Sequence, residues 1–450
     1  MDYKKVIVYW KELEIPEVKE RKLKIELPVE DLIITITGPR RTGKTYYCFQ
    51  LMNDLKKEGI NQNNILYINF EDERLFNANS KDLDQILDLY LETYEPQGKQ
   101  KIFLFFDEIQ NVNNWDGWVR RINDTNKNIQ FVLTGSSSKQ LSREIATKLR
   151  GRTINFEIYP LSFSEYLEWK GITYNLRTVR YSSDNKKIKT AFLEYLRNGG
   201  FPKVVLGEQW QDKLLQTYYE VMLLRDIIER HNIRNINQLK ILSKLLFNSV
   251  SSEFSYNKLK NKMLSIGLDI SKNTIIEYIN FLEEAYIFFQ NLKYEYSTSK
   301  QLGSIKKIYC VDNGLLNANS FKFSEDSGKL LENLVYLELK RNGKEIFYFK
   351  DKGECDFLIK EKDKVITAIQ VVEKLDETNR TREISSLCEA CEKHKIKRGF
   401  VLFNSNTDDG AITHGPIGKP NSEFTLEVQF LPVWYFLLVS NELINSKNTI

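Results

Sequence analysis

The sequence predicts an α/β protein whose N-terminal part is a parallel sheet with helices on both faces. Apolar, β-branched segments alternate with amphipathic helical segments between residues 31 and 160. A glycine-rich loop, residues 38–45, stands between the first of these strands and the first long helix. Gly38, Asp107 and Thr134 each lie at the end of a predicted strand, and ligands of parallel sheets bind at the carboxyl ends of the strands. The sequence therefore predicts a ligand site at that edge of the sheet.

The length of the chain, 450 residues, exceeds what one ordinary core requires, so two or three domains are expected. Of the residues, 42% are hydrophobic and 28% are charged, which is typical of soluble globular proteins. We expect no secretory signal, because residues 1–5 are not followed by an apolar run of the right kind. We also expect no membrane span, because the apolar run at residues 430–439 is too short for a span and contains Pro432. The net charge of +4 is too small to imply a partner.

The cysteines indicate a reducing compartment, because only five are spread over the whole chain. We therefore expect a cytoplasmic protein. Cys388 and Cys391 have the spacing of a metal-binding pair, but no second pair accompanies them, so ordinary thiols are favoured there over a metal site.

The loop at residues 38–45 reads Gly-Pro-Arg-Arg-Thr-Gly-Lys-Thr and fits G-x-x-x-x-G-K-[ST], a pattern typical of loops that bind nucleotide phosphates. A strand at 32–37 precedes it and a helix at 46–57 follows, which is the context the pattern needs. The glycines let backbone N–H groups point inward, Lys44 reaches the β- and γ-phosphates, and Thr45 is a ligand for Mg²⁺. The predicted nucleotide-binding residues are Gly38, Pro39, Arg40, Arg41, Thr42, Gly43, Lys44, Thr45 and Tyr46.

Residues 101–110 predict a buried strand that ends in two carboxylates, Asp107 and Glu108. Asp107 is expected to hold Mg²⁺ through its water shell, and Glu108 to orient or deprotonate the attacking water. The alternative is a pair of solvated acids at a strand end. A second strand is expected at 64–70 and a helix at 83–94.

The next predicted strand, 128–134, ends in Thr134-Gly135-Ser136, and the hydroxyls of Thr134 and Ser136 are expected beside the γ-phosphate. A helix at 141–149 and another strand at 153–158 follow. Between them, Arg150 and Arg152 are candidates for stabilising the transferred phosphate, either in their own chain or in a neighbouring subunit. The alternative for each arginine is a solvated basic turn.

From residue 161 to 231 the pattern is helical, and the break Asn198-Gly199-Gly200-Phe201-Pro202 separates two helices. Gly200 and Pro202 are expected to contact the nucleotide from a lid. The alternative is a plain turn between helices.

Residues 232–318 have the order of elements of a winged helix: helices at 236–250, 256–266 and 271–284, then strands near 287–296 and 306–311. Residues 231–310 contain 11 Lys and Arg against 6 Asp and Glu, a net charge of +5, so the rest of the chain nets −1. This asymmetry favours DNA as a partner. Against it, Lys272 is the only basic residue of the third helix, so a protein-contact domain stays open as the alternative.

Residues 319–450 predict a further α/β unit, with a helix at 330–340, strands at 347–349, 354–359 and 365–372, a helix at 381–393 and a strand at 399–403. The expected domains are therefore 1–160, 161–231, 232–318 and 319–450.

Several motifs in order identify a resemblance. They are the loop at 38–45, Phe-Asp-Glu-Ile-Gln (106–110), Leu-Thr-Gly-Ser-Ser-Ser (133–138), Leu-Arg-Gly-Arg (149–152), Tyr-Pro-Leu-Ser-Phe-Ser-Glu-Tyr (159–166), Gly-Gly-Phe-Pro (199–202) and Asp-Asn-Gly-Leu (312–315). In these motifs the chain resembles a family of prokaryotic AAA-type ATPases that carry a winged helix and a C-terminal nuclease-like domain. The resemblance covers about residues 8–405. It implies ATP and Mg²⁺ as cofactors, with Asp107 and Glu108 as the metal-binding and catalytic pair. It also implies that residues 134–136 form a sensor, that Arg150 and Arg152 are candidates for an arginine finger, and that residues 200–202 form a lid motif.

The C-terminal unit resembles the restriction-endonuclease-like core, whose active form needs a Glu on a helix, an Asp on a strand and then Glu-x-Lys on the next strand. Glu332 and Asp356 match, but Gln370-Val371-Val372 stands where Glu-x-Lys belongs, and Lys374 is two positions out of register. Because glutamine is a poor Mg²⁺ ligand and valine cannot activate water, we expect no nuclease activity.

Together these features predict an ATP-hydrolysing switch or remodelling protein that acts on nucleic acid. The alternatives are a DNA-binding regulator that turns ATP over slowly and an ATP-gated nuclease. A homo-oligomer is a further expectation, because an arginine supplied in trans needs a neighbouring subunit.

Overall fold

The computed structural model divides the chain into two compact units, each with its own sheet. One unit comprises residues 1–159 with 284–286, and the other comprises 160–283 with 287–450. The structure describes residues 2–98, 100–135, 149, 151–181, 184–207, 209–320, 326–375, 377–404, 414–417 and 426–445.

The first unit alternates strands and helices. The strands β1 to β5 are Ile33–Thr37, Ile65–Asn69, Ile102–Asp107, Ile129–Thr134 and Thr153–Glu157. The helices α1 to α4 are Tyr3–Lys11, Lys44–Lys57, Ser80–Tyr94 and Trp115–Thr125, and short 3₁₀ turns lie at Gln62–Asn64, Glu73–Leu75 and Ile109–Asn111.

All five strands of the first sheet run parallel, in the order β2-β3-β4-β1-β5. Successive residues of β3 point to opposite faces, as the strand period of two requires. Phe103 and Phe105 pack into the core that includes α2, whereas Leu104 and Phe106 pack into the core that includes α1, α3 and α4. The predicted parallel sheet with helices on both faces is confirmed.

The second unit mixes helices with a larger sheet. The helices α5 to α16 are Phe163–Trp169, Asp184–Asn198, Pro202–Val205, Gln211–Val221, Ile236–Phe247, Tyr256–Ser265, Lys272–Glu284, Thr298–Gly303, Asn313–Asn319, Ser327–Arg341, Glu377–His394 and Val433–Asn445, and a π-helical segment, Met222–Glu229, follows α8. The strands β6 to β14 are Glu253–Phe254, Phe288–Lys293, Lys306–Cys310, Glu345–Lys350, Glu354–Glu361, Lys364–Val372, Arg398–Phe403, His414–Ile417 and Leu426–Pro432.

These strands form one mixed sheet in the order β13-β14-β12-β11-β10-β9-β7-β8-β6. The pair β7 and β8 belongs to the predicted winged helix, and β9 to β14 belong to the predicted nuclease-like domain. The two groups meet at β7 and β9, which run parallel, with Leu292 opposite Phe347. The sheet is therefore continuous across the expected boundary near residue 318, and the division of this unit into three domains stays a prediction.

The glycines at 199–200 have a packing role within the second unit. A Cβ on Gly199, whose φ is +73°, would lie 2.1 Å from Oδ1 of Asp312, and a Cβ on Gly314 would lie 2.1 Å from the carbonyl oxygen of Asn198. The N–H of Gly200 donates to Oδ2 of Asp312 over 2.7 Å. The segments 199–202 and 312–315, which are far apart in the sequence, are therefore packed against each other.

The motif at 159–166 also has a local structural explanation. The N–H of Glu165 donates to the hydroxyl of Ser162 over 3.2 Å, and the N–H of Ser162 donates back to the Glu165 carboxylate over 2.8 Å. This reciprocal capping starts α5. The preceding Leu161 donates its N–H to the carbonyl of Gly200 over 2.7 Å, so α5 is held against the glycine turn.

Candidate nucleotide-binding site

The phosphate-loop sequence forms a tight turn between β1 and α2. Gly38 has a φ of +140°, and a Cβ there would lie 2.1 Å from the carbonyl oxygen of Ile158. Only glycine fits this approach of two backbones. Gly43, with a φ of +93°, precedes α2, and the buried hydroxyl of Thr42 donates to the carbonyl of Pro39 over 2.9 Å. The loop thus has the curvature that the pattern predicts.

Lys44, the first residue of α2, is buried with its ammonium against this loop. The Nζ atom donates to the carbonyls of Gly38 over 3.0 Å and of Pro39 over 3.1 Å. The side chain is 7% exposed. A positive charge is therefore concentrated at the start of a helix, where the helix dipole also attracts anions.

Asp107 ends β3 and collects hydroxyl donors from three neighbouring elements. Its Oδ2 accepts from Thr45 over 2.6 Å and from Tyr67 over 2.8 Å, and its Oδ1 accepts from Thr134. Burial and the charge of Asp107 raise the pKa of Tyr67 far above its ordinary value, so Tyr67 remains a donor. The carboxylate of Asp107 is thus held beside the phosphate loop.

Glu108 follows Asp107 in the left-handed region, with a φ of +54°. This conformation is uncommon for a residue with a side chain. Its N–H donates to the hydroxyl of Thr134 over 3.1 Å, and its Oε2 accepts from the amide of Gln110 over 2.6 Å. Burial raises the pKa of Glu108; Lys44 opposes this shift and Asp107 adds to it.

The structure brings the predicted residues Lys44, Thr45, Asp107, Glu108 and Thr134 together at the carboxyl edge of the sheet. Thr134 links the two acids, since it donates to one and accepts from the backbone of the other. Ser136 lies outside the described residues. Around the loop, Arg40 lies 4.0 Å from Glu71, and Tyr46 is 51% exposed.

Arg21 is a residue of this region that sequence reasoning missed. Its guanidinium donates to the carbonyl of Thr42 over 2.9 Å and to that of Tyr159 over 2.8 Å. The backbone of Arg21 exchanges two hydrogen bonds with the side chain of Gln50, at 2.7 and 3.1 Å. Arg21 therefore braces the phosphate loop against the chain after β5. It lies in a charged lead-in without a motif, so no local signal pointed to it.

Glu157, at the carboxyl end of β5, is a second missed residue. Its Oε1 accepts from the hydroxyl of Tyr286 over 2.8 Å, and its Oε2 accepts from Tyr159. Tyr286 is fully buried in the first unit, to which residues 284–286 belong. A carboxylate with two tyrosine donors thus lies on the strand next to the one that carries the loop.

Arg152 lies at the opposite edge of the sheet. Its carbonyl accepts the N–H of Ile33, the first residue of β1, over 2.8 Å, whereas the phosphate loop follows the last residue of β1. Five residues of strand, about 16 Å, separate the two ends. The guanidinium pairs with Asp124 over 2.8 Å. Arg152 therefore lies away from the phosphate loop of its own chain, and its role as an arginine finger, in its own chain or in a neighbouring subunit, stays a prediction. Arg150 lies outside the described residues.

The second predicted site, in the C-terminal α/β segment, is also partly assembled. Glu332 on α14 and Asp356 on β10 face the same ammonium, that of Lys307 on β8. Gln370 on β11 donates its amide to Glu383 over 2.8 Å. Sequence reasoning missed Lys307, because it lies outside the motif of the nuclease-like core.

Neither a membrane helix nor a metal cluster occurs in the parts of the chain that the structure describes. No helix there is long and apolar enough to cross a membrane. Within the same residues, no group of three or more His, Cys, Asp and Glu side chains is arranged to hold a metal ion. Cys391 is buried and Cys388 is half-buried.

Comparison with known protein families divides the chain into three matched segments. Residues 30–167 match the family described as AAA domain. Residues 189–326 and 327–416 match two domains of unknown function, DUF8612 and DUF4143.

The chain is also similar to two relatives along most of their length. It is 38% identical to the uncharacterized protein MJ1544 of Methanocaldococcus jannaschii over 94% of this chain and 91% of the relative. It is 31% identical to an uncharacterized protein of Haemophilus influenzae over 79% of this chain and 87% of that relative.

Among solved structures, the chain is similar to the Walker-type ATPase PABY2304 of Pyrococcus abyssi. The TM-score is 0.43 and the identity 13%, over 64% of this chain and 91% of that one. It is also similar to the Aeropyrum pernix ORC1 protein solved in complex with DNA, with a TM-score of 0.27 and 12% identity, over 70% of this chain and 89% of that one. The AAA-domain match and the Methanocaldococcus jannaschii relative, which aligns with nearly the whole chain, show the family. This ATP-binding, ATPase-type chain belongs to a family of prokaryotic AAA-type P-loop ATPases whose C-terminal domains are of unknown function.

Proposed function

We propose that the protein hydrolyses ATP with Mg²⁺ and uses the cycle as a switch or to remodel a partner. The observation that carries this proposal is the hydrogen bond of 2.6 Å between Thr45 of the phosphate loop and Asp107, with Glu108 as the next residue along the chain. It supports a single site in which a phosphate cradle, two oxygen ligands and a carboxylate base meet.

In this proposal the loop N–H groups and Lys44 bind the phosphates of ATP. The Lys44 ammonium exchanges the carbonyls of Gly38 and Pro39 for phosphate oxygens. Glu108 orients the attacking water and accepts its proton, and the raised pKa of Glu108 favours this role near neutral pH. Thr134 keeps Glu108 in register with Asp107 through its two hydrogen bonds.

The residues present fit Mg²⁺. Thr45 and Asp107 offer a hydroxyl and a carboxylate oxygen side by side, and Mg²⁺ prefers oxygen ligands of this kind together with substrate phosphates. The bound ion would neutralise charge on the β- and γ-phosphate oxygens. Tyr67 and Thr134 orient Asp107 for this contact.

The test is steady-state ATP hydrolysis by the full chain and by Glu108→Gln. We expect Glu108→Gln to lower kcat at least about 100-fold while ATP still binds, because a positioned general base contributes about 10²–10⁴-fold. Glu73→Gln, which changes an exposed carboxylate beyond β2, serves as the matched control. Unchanged turnover in Glu108→Gln would refute the assignment, and Lys44→Ala should abolish ATP binding.

We also propose that Arg150 or Arg152 completes the site of a neighbouring subunit, and that Gly200 and Pro202 belong to a nucleotide lid. The position of Arg152 at the amino edge of the sheet supports a role in trans. Mass measurement with and without ATP should show an ATP-dependent oligomer that Lys44→Ala does not form. A monomer under both conditions would contradict the trans role.

A second proposal is that residues 231–310 form a winged helix that binds DNA. The order α9-β6-α10-α11-β7-α12-β8, in which the short α12 lies between the last two strands, supports a winged helix. Its second helix, α10, carries Lys258, Lys260 and Lys262, of which Lys258 and Lys262 are exposed. This helix supplies the basic surface that α11 lacks.

Fluorescence anisotropy with duplex DNA at 50 and 200 mM salt tests this proposal. Replacing Lys258 and Lys262 with Glu should weaken binding at least about tenfold and reduce the salt dependence, since each lost phosphate contact lowers the slope by about one. Replacing the exposed Lys186 and Lys187 of α6 with Glu serves as the control. Binding that is absent from the wild type, or insensitive to salt, would refute the proposal and favour a protein-contact domain.

A further inference from the structure

In the second unit, a buried lysine lies between three carboxylates. Lys307 on β8 is 2% exposed, and its Nζ lies 3.0 Å from Oε1 of Glu332, 2.9 Å from Oδ1 of Asp356 and 2.8 Å from Oε1 of Glu354. Glu332 comes from α14, and both Glu354 and Asp356 come from β10. One ammonium thus joins a helix and two strands that are not neighbours in the sheet.

Two of these carboxylates, Glu332 and Asp356, match the metal ligands of a nuclease-like core, so the contacts of these two acids show whether a metal fits. The Lys307 ammonium occupies the space in which an ion bridging Glu332 and Asp356 would lie. Each acid also accepts a hydrogen bond from a second donor. Oε1 of Glu332 also accepts from the hydroxyl of Tyr309 over 2.7 Å, and Oδ2 of Asp356 accepts the N–H of Val371 over 2.9 Å.

The third ligand position does not supply an acid. Gln370 lies there, its amide nitrogen donates to Glu383, and its oxygen faces the N–H of Asp356 at 3.4 Å. With the Lys307 ammonium between the acids, the residues present therefore do not fit a divalent metal. A cavity of ≈ 520 Å³ opens beside them, lined by Glu332, Asp356 and Gln370, so lack of space around the site is not the reason.

Lys307 keeps its proton, and therefore its positive charge, in this position. Burial by itself disfavours the ammonium, but Asp356 and Glu332 outweigh this effect and raise the pKa of Lys307 well above its ordinary value. The neighbouring Tyr309 stacks on Tyr336 of α14, with ring centroids 4.0 Å apart and planes at 5°, which holds β8 in place. A buried charge that loses its partners is strongly destabilising, so the acids and the lysine depend on each other.

We propose that Lys307 is the resident cation of this site, that it replaces the divalent metal of a nuclease, and that the site serves as a joint that fastens β8 to β10 and α14. Strand β8 belongs to the segment predicted to be a winged helix, and the acids belong to the nuclease-like segment. The ammonium therefore stabilises the junction of these two parts of the continuous sheet. This role is independent of ATP hydrolysis.

The test is Mn²⁺ binding by the full chain without nucleotide, measured by electron paramagnetic resonance. Lys307→Met removes the charge while keeping most of the volume. We expect Lys307→Met to bind one Mn²⁺ more than the wild type, with an affinity at least about tenfold above any weak binding of the wild type at this site. The double variant Lys307→Met with Asp356→Asn should lose that ion. Lys350→Met is the matched control, because Lys350 also contacts Glu354, over 3.2 Å, but lies outside the space between Glu332 and Asp356.

Two results would overturn the proposal: a wild-type Mn²⁺ site that Asp356→Asn removes, or a folded Lys307→Met that gains no ion. Reductive methylation of the wild type provides a second measurement that does not depend on the folding of Lys307→Met. Lys307 should resist modification at least about tenfold longer than the half-exposed Lys350. Equal rates for the two lysines would show that Lys307 is not a resident buried cation.

Discussion

The hydroxyl of Thr45 donates a hydrogen bond of 2.6 Å to Asp107, although 62 residues separate them in the chain. The contact exists because β1 and β3 run parallel, with β4 between them, so the loop after β1 and the acid that ends β3 reach the same edge of the sheet. It joins the two halves of the candidate site.

Replacing Thr45 with Val should weaken ATP hydrolysis while the fold is kept. Valine has a similar shape but no hydroxyl, and a hydrogen bond to a charged group contributes about 1.5–3 kcal/mol, so kcat/KM should fall roughly 10- to 100-fold. Thr45→Ser keeps the hydroxyl and should retain most of the activity. Equal activity of the Val and wild-type proteins in a Mg²⁺-dependent ATPase assay would contradict the role of the hydroxyl.

Replacing Gln110 with Ala should change the pH dependence of hydrolysis. The amide of Gln110 donates to the Glu108 carboxylate over 2.6 Å, and this hydrogen bond lowers the pKa of Glu108. Burial has the larger and opposite effect, because it raises the same pKa. Without this donor the pKa rises further, and a base must be deprotonated to act. The acid limb of the kcat/KM profile should therefore move to higher pH. Asn111 is the exposed neighbour of Gln110, and Asn111→Ala is the control that should leave the acid limb at the wild-type pH. A pH profile of Gln110→Ala that coincides with that of the wild type would argue against Glu108 as the base.

Replacing Gly38 with Ala should abolish ATP binding. The new Cβ would lie 2.1 Å from the carbonyl oxygen of Ile158, and the φ of +140° is one that L-residues avoid, so the loop must move. Gly59→Ala is the control, since its φ is +87° but no atom lies within 4 Å of the added Cβ. That control should cost about 1 kcal/mol of stability and keep ATP binding. The assay is the binding of a fluorescent ATP analogue, and normal binding by Gly38→Ala would show that the loop is not the cradle.

Replacing Asp312 with Asn should remove a pH-dependent part of the stability. Burial raises the pKa of Asp312 from 3.8 to about 6, although the N–H groups of Gly200 and Leu315 oppose this. Because the folded state holds the proton more tightly, this contribution to stability is present below pH 4 and is lost as the pH rises through 6. The loss amounts to about 3 kcal/mol.

Urea unfolding of both proteins between pH 4 and 7 measures this effect. The free energy of unfolding of the wild type, relative to that of Asp312→Asn, should decline as the pH rises across this range. Parallel curves would mean that Asp312 ionises alike in the folded and unfolded states.

Much of the nucleotide site was predictable because its signals are local. The loop at 38–45, the apolar strand that ends in Asp107 and Glu108, and the alternation of strands with helices each depend on neighbouring residues, and parallel strands then bring their ends to one edge. Other parts were not predictable. Arg21 has no motif around it, and its contacts with Thr42 and Tyr159 bridge distant segments of the chain.

The sequence by itself determined the parallel sheet, the phosphate loop and the acidic strand end, since their residue types and spacing restrict the local backbone to few conformations. Only the tertiary structure decided where distant charges lie. The pairing of β5 with β1 places Arg152 at the edge away from the loop, and the continuous sheet of the second unit brings Lys307 between Glu332 and Asp356. The physical reason is that an ion pair between distant segments depends on strand order and direction, which no short stretch of sequence specifies.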